Sequence, residues 1–300
     1  MKNLEKFEEK RLEILKQYRK QNKTAILLIL PAIISLVLAI VLDLPLLFIL
    51  TAVFGIPAII FFGKATTFYS SYRTLIKNEL ITALLKEELD DVTYEPKDYI
   101  PISRITQTGM IKRPDRYTAE DYIKGSYKGV GFEVCDINFK ERVETRDAKG
   151  NRIITYQTYF MGRWYIYTFE RNFKEELRIA EGRGYGMQKK NLIKIDTESM
   201  EFNKKFAIYA STQEYGFYHI TSSMIEKLLE LEKLHRGSIL YYFNDNELHI
   251  GVNDRKNYME LSMKTPINPE SLKPFMSDIE LIPAIINELR LDSIKFKKTL

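Results

Sequence analysis

Two uninterrupted apolar runs dominate the hydrophobic pattern of this chain. The first is Ala25–Leu42 and the second Leu44–Phe62, with Asp43 alone between them. At about 18–20 residues each can cross a hydrocarbon core of about 30 Å as a helix. The pair predicts a transmembrane hairpin over 24–63, with an outer turn at Asp43 and Pro45. A core helix of a soluble protein keeps a polar stripe; here only Ser35 and Thr51 interrupt the apolar surface. Pro31, Gly55 and Pro57 lie inside the runs, where kinks and close helix approach are tolerated. Neither run contains a charge, so no ion or proton path is visible.

The flanks have helical periodicity. Leu4, Phe7, Ile14, Leu15 and Tyr18 recur on one side of residues 1–23, and Phe68, Tyr72, Leu75, Ile76, Leu80, Leu84 and Leu85 do so within 64–90. Both read as amphipathic helices. Leaving adjacent spans side by side, they favour an antiparallel stalk, although either could instead lie on the membrane or on the domain. Residues 87–112, with Pro96, Pro101 and Gly109, read as a linker or irregular lead-in.

From Tyr117 the period becomes that of strands. Val130, Phe132 and Val134 alternate, then Ile137 and Phe139 take the other parity, which suggests a bulge at Cys135–Asp136. Asp147–Asn151 is a turn. Ile153–Phe169 is an aromatic-rich strand or pair of strands broken at Gly162, and Leu192–Ile195 and Phe206–Ala210 are short strands. A helix starts near Thr221. A hairpin turning at Asp245-Asn246 would pair Phe243 with Leu248, Tyr241 with Ile250 and Ile239 with Val252. A last helix covers about 279–290. The fold class expected is α+β: a transmembrane hairpin with flanking amphipathic helices, then a β-meander-rich domain with two helices over 91–300.

Charge fixes an orientation. Nine Lys/Arg and five Asp/Glu give residues 1–64 a net +4, which leaves only +1 of the total +5 for residues 65–300. Basic residues flank both runs and are absent from the turn, which puts both termini in the cytoplasm. A nucleic-acid binder concentrates Lys/Arg on its folded domain; this chain does not. The single cysteine, Cys135, neither staples a domain nor completes a zinc site.

No catalytic, metal or cofactor motif is present. The loop Gly182–Gly186 lacks the Lys-Ser/Thr ending of a phosphate cradle. Of three histidines, His249 reads as a surface cross-strand partner of Tyr242, His235 as a helix end, and His219 as the only one in a site-like setting. Trp164, Tyr165 and Tyr167, with Phe169, are core if both sheet faces are covered and a recognition surface if one is not. Residues 171–190 carry Arg178, Arg183, Lys189 and Lys190, diluted by Glu175, Glu176, Glu181 and the preceding Glu170; a solvated loop is the ordinary reading and an anionic lipid surface the sharper one.

Four stretches, RYTAEDYIKG at 116–125, FMGRWYIYTFERNF at 160–173, residues 195–229 and LHIGVNDRKNYME at 248–260, resemble the bacterial domain-of-unknown-function 3137 family. Its most recognisable piece is Ser199-Met200-Glu201-Phe202 with Phe206–Ala210. The resemblance implies a bacterial membrane protein with an N-terminal hairpin, and supplies no catalytic residues. The expected function is a non-enzymatic scaffold facing the cytoplasm from the inner membrane, multi-pass, with a membrane or envelope protein as partner, a homo-oligomer left open, no nucleic acid and no cofactor. A lipid-headgroup reader and an enzyme with a dispersed site are the alternatives.

Overall fold

A computed structural model describes residues 4–89, 91–182, 187–234 and 237–298. The fold is α+β and divides by contacts into two units. One comprises Met1–Leu84 with Glu260–Pro274, the other Leu85–Met259 with Phe275–Leu300.

The first unit is built on two long helices. Helix α1 runs without a break over Leu4–Val41, so the amphipathic flank and the first apolar run form one rod. After a turn in which Asp43 takes φ 52°, α2 covers Leu46–Thr74 and passes through a π-helical stretch, Leu75–Ile81, into α3, Thr82–Glu88. The two rods face each other through small residues at seven-residue spacing: Ala25, Ala32 and Ala39 on α1, Ala58 and Ala65 on α2, all buried. Small side chains allow close backbone approach, the usual basis of helix pairing in lipid. Ser35 and Thr51, the two polar residues of the apolar runs, hydrogen-bond each other at 2.9 Å. The large apolar residues point outward, with Leu27, Ile40, Leu46 and Ile59 at 67–79% exposure. That arrangement inverts a soluble helical hairpin and suggests membrane association. Both helices are long and apolar enough to cross a bilayer. Lys10 ties to Glu79 at 2.6 Å along the polar ends.

The second unit is a seven-stranded antiparallel sheet in the order β1-β2-β3-β4-β6-β5, with β7 paired to β4. The strands are β1 Asp91–Glu95, β2 Arg116–Tyr127, β3 Val130–Arg146, β4 Arg152–Glu181, β5 Ile193–Ile195, β6 Phe206–Ala210 and β7 Ser238–Asn253. The short helices α4 Ile102–Gln107, α5 Met200–Lys205 and α6 Gln213–His219 join them, with α7 Ser222–Leu234 and α8 Pro269–Glu288. Strand β4 is the spine: it pairs β3 along residues 152–168, β7 along 162–180 and β6 along 177–181.

Both faces of the sheet are buried. On one, Cys135, Ile137, Phe139, Phe160, Trp164, Ile166, Leu240 and Tyr242 pack under Ile100, Ile105, Met110 and Ile111. The opposite parity places Phe132, Val134, Tyr165 and Tyr167 on the other face, where the Tyr167 hydroxyl donates to the Ile282 carbonyl of α8 at 3.2 Å.

Several expectations are corrected here. The lead-in at 87–112 contains β1 and α4. Strand β3 has no bulge at Cys135–Asp136, because its change of parity reflects burial of both faces. The bulge at that level belongs to β2, between Glu120 and Ile123, where Asp121 takes φ 63°. No hairpin forms at Asp245-Asn246. Strand β7 runs straight past it against β4, with Tyr165 opposite Ile250 and Ile179 opposite Tyr241, and Asp245, at φ 48°, marks a shift in register. His249 is therefore opposite Ile166 and buried. The last helix starts ten residues earlier than expected, at Pro269, where the Asn268 side chain accepts from the Ser271 amide at 2.9 Å; Pro at the first helical position fits that cap. Finally, residues 171–181 are strand rather than loop.

Candidate functional site

Trp164, Tyr165 and Tyr167 are each at most 1% exposed. They are core, and neither face of the sheet leaves them open to a partner. Arg178 is also buried: its guanidinium donates to the Gln188 carbonyl at 2.6 Å and to Glu176 at 3.0 Å, and lies over the Tyr242 ring. Lys189 and Lys190 are exposed, Lys189 against the Tyr209 ring. Arg183 and His235 lie outside the described residues, as does most of Gly182–Gly186. The basic residues of 171–190 thus do not share one open surface: the strand draws Arg178 inward while the lysines stay out.

His219 ends α6 inside an aromatic cage. Ring centroids of Tyr215, Phe173, Phe243 and Tyr218 lie 4.6, 4.9, 5.1 and 5.2 Å away. Burial, reinforced by Lys295 and then Arg171, pushes the imidazole down to about 3, so it is neutral near pH 7. Its Nε2 has no hydrogen-bond partner among the described residues. Beside it is a cavity of about 180 Å³, lined also by Thr221, Ser223, Lys227, Glu288 and Lys295. Burial and the nearby Arg171 lower Lys295 to about 8, and its ammonium donates to the Tyr218 carbonyl at 2.8 Å. A neutral imidazole next to an easily deprotonated lysine has acid–base capacity. The carboxylate at hand, Glu288, is already paired with Lys227, and the cavity is smaller than the 300–1,000 Å³ usual for ligand pockets.

A second polar cluster was not read from the sequence. Arg163 is fully buried; its Nε donates to Asp136 at 2.7 Å and its guanidinium stacks on Tyr258 at 4.1 Å. Asp136 also accepts from the Tyr258 amide at 3.0 Å, and the Tyr258 hydroxyl donates to Asp254 at 2.6 Å. Both terminal guanidinium nitrogens lack a hydrogen-bond partner among the described residues. The adjoining cavity of about 70 Å³, lined by Asp136, Gly162 and Asn257, has room for water. This cluster locks β3, β4 and the chain after β7 together. The available signal was a charge at the centre of each of two apolar strands.

His249 forms a third buried polar contact, accepting from the Trp164 indole at 3.3 Å and bonding Glu247 at 2.9 Å. Glu247 also pairs with Arg104 at 2.8 Å.

The comparisons bear on this unit. No curated protein matches the chain. A solved structure described as "crystal structure of the mycobacterial trehalose monomycolate transport factor A, TtfA" aligns at TM-score 0.41 and 6% identity, covering 71% of this chain and 95% of that one. Residues 158–291 match the family described as "Protein of unknown function (DUF3137)". The resemblance read from the sequence therefore stands over the stretch from the spine strand β4 into the region after α8: residues 158–291 of this chain carry the DUF3137 family's pattern.

Proposed function

We propose that this chain is a non-enzymatic scaffold anchored in the bacterial inner membrane, multi-pass, with both termini and the sheet unit in the cytoplasm. The exposed apolar surface of α1 and α2 supports the anchor, and the basic residues on both flanks of the hairpin support the orientation. One observation carries the interaction role. Beyond the last pairing of β2, Arg116 with Lys140, strands β3 and β4 continue alone as a two-stranded arm, from Glu141–Gln157 to Arg146–Arg152. At about 3.4 Å per residue the arm reaches about 20 Å past the sheet. A two-stranded ribbon is marginal alone, and its unpaired edges suit strand addition by a partner. Ile153 and Ile154 on it are 43% and 45% exposed.

The test is photo-cross-linking in cells from probes at Ile153 and Ile154, with Ile193, equally exposed at 45%, as the control. The scaffold reading expects discrete protein adducts from the arm and none from the control. Equal, diffuse labelling from all three positions contradicts it.

A further inference from the structure

In the helical unit, α1, α2 and the returning segment 260–264 enclose a recess of about 580 Å³. Leu15, Tyr18, Arg19, Asn22, Tyr69 and Lys264 are among its lining residues. Its wall is anchored rather than incidental. Arg11, only 3% exposed, donates to the Met263 carbonyl at 2.7 Å and pairs with Glu8, which in turn accepts from the Ile267 amide at 2.7 Å. These bonds fasten the segment to α1.

The charge inside is one-sided. Glu260, the carboxylate of the recess, is taken by Arg73 at 2.8 Å and Lys77 at 3.1 Å. Arg19 and Lys264 are exposed and make no ion pair among the described residues. The level along the helices matters too. Asn22 and Arg19 precede the apolar run at Ala25 by three and six residues, about 4–9 Å at the helical rise. Tyr69 follows Lys64 by five residues, about 7 Å on the same measure. Two tyrosines and two uncommitted cations thus sit where phospholipid headgroups lie, the depth at which such side chains are enriched.

We propose that the recess holds the phosphate-bearing headgroup of an anionic phospholipid from the adjoining leaflet. Arg19 and Lys264 take the phosphate, and Tyr18 and Tyr69 flank it. The proposal rests on reading the two apolar helices as membrane spans. It deepens the anchor: the chain would sit in the bilayer through the hairpin and select the lipid at its base.

The experiment is native mass spectrometry of the full-length protein released from nanodiscs containing equal phosphatidylglycerol and phosphatidylcholine. The wild type is expected to retain phosphatidylglycerol preferentially. Arg19→Gln with Lys264→Gln should reduce that retention by about fivefold per charge, whereas the charge-keeping pair R19K and K264R should retain it. Inorganic phosphate at millimolar concentration should not displace the lipid; displacement would assign the recess to free phosphate and overturn the proposal. Equal retention of both lipids, or a neutralised variant that behaves as wild type, also overturns it. Alkaline carbonate extraction separates the two levels. Extraction of the protein from membranes refutes the spans and the proposal together, while resistance combined with lost lipid selectivity refutes the headgroup site alone.

Discussion

The Asp136–Arg163 pair gives the sharpest energetic prediction. Arg163 is 0% and Asp136 5% exposed, so removing either partner strands a charge in the sheet interior. Breaking a buried ion pair in this way costs about 3–5 kcal/mol. Asp136→Ala deprives Arg163 Nε of its acceptor and frees the Tyr258 amide as well. Arg163→Met leaves the Asp136 carboxylate buried without its guanidinium. Each variant should lower the urea midpoint by about 1.5–2.5 M, taking about 2 kcal/mol per molar for the slope. The double variant removes both charges and should lose less than the sum by at least about 2 kcal/mol, the coupling expected of direct contact. Trp164 makes the assay specific. It is the chain's one tryptophan, 1% exposed and next in sequence to Arg163. Its fluorescence in the detergent-solubilised full chain therefore reports unfolding of the sheet unit. Single-variant losses under about 1 kcal/mol, or strict additivity in the double, would refute the keystone role.

Two further predictions concern the histidines. His249→Leu should cost about 1–3 kcal/mol in the same urea assay, because the Trp164 indole N–H is left buried without its acceptor; a loss under about 0.5 kcal/mol contradicts the contact. His219, held at about 3 in the fold against an ordinary 6.5, stays neutral where the unfolded chain takes up a proton. Stability should therefore fall as pH drops from 6.5 toward 3, by at most about 1.4 kcal/mol per pH unit. Asp278, raised by burial to about 6, contributes the opposite slope: its share of stability is present at low pH and lost as pH rises from about 4 to 6. The comparison is thus between wild type and His219→Phe, whose profile should be flatter on the acid side; parallel profiles would refute the assignment.

Local pattern revealed some elements and hid others for definable reasons. The two apolar helices were legible because nothing interrupts their runs, and β6 because Phe206–Ala210 is a short apolar run between polar neighbours. Strand β4 was truncated in the reading because Glu170, Arg171, Lys174, Glu175 and Glu176 mask the buried Phe173, Leu177 and Ile179. Strand β7 was misread because the apolar residues on either side of Asp245-Asn246 pair symmetrically, as they would in a hairpin. The true partner, β4, lies some 60–91 residues earlier and leaves no local trace. The Asp136–Arg163 cluster was invisible for the same reason, since its partners are brought together by strand register across 27 residues. The recess in the helical unit depends on residues 260–264 returning to α1, a long-range contact that no periodicity encodes. His219 was singled out for its setting, but the cage around it draws on β4 and β7 as well as its own helix α6.

The most direct test of the anchored, cytoplasm-facing arrangement is thiol labelling in intact cells. Cys135 is buried and is replaced by alanine to clear the background. A cysteine is then placed at Lys149, exposed at the tip of the arm. The account predicts that a membrane-impermeant maleimide leaves this cysteine unlabelled in intact cells and labels it fully after lysis, with the protein in the membrane fraction throughout. Labelling from outside intact cells would contradict the orientation and remove the cytoplasmic partner with it.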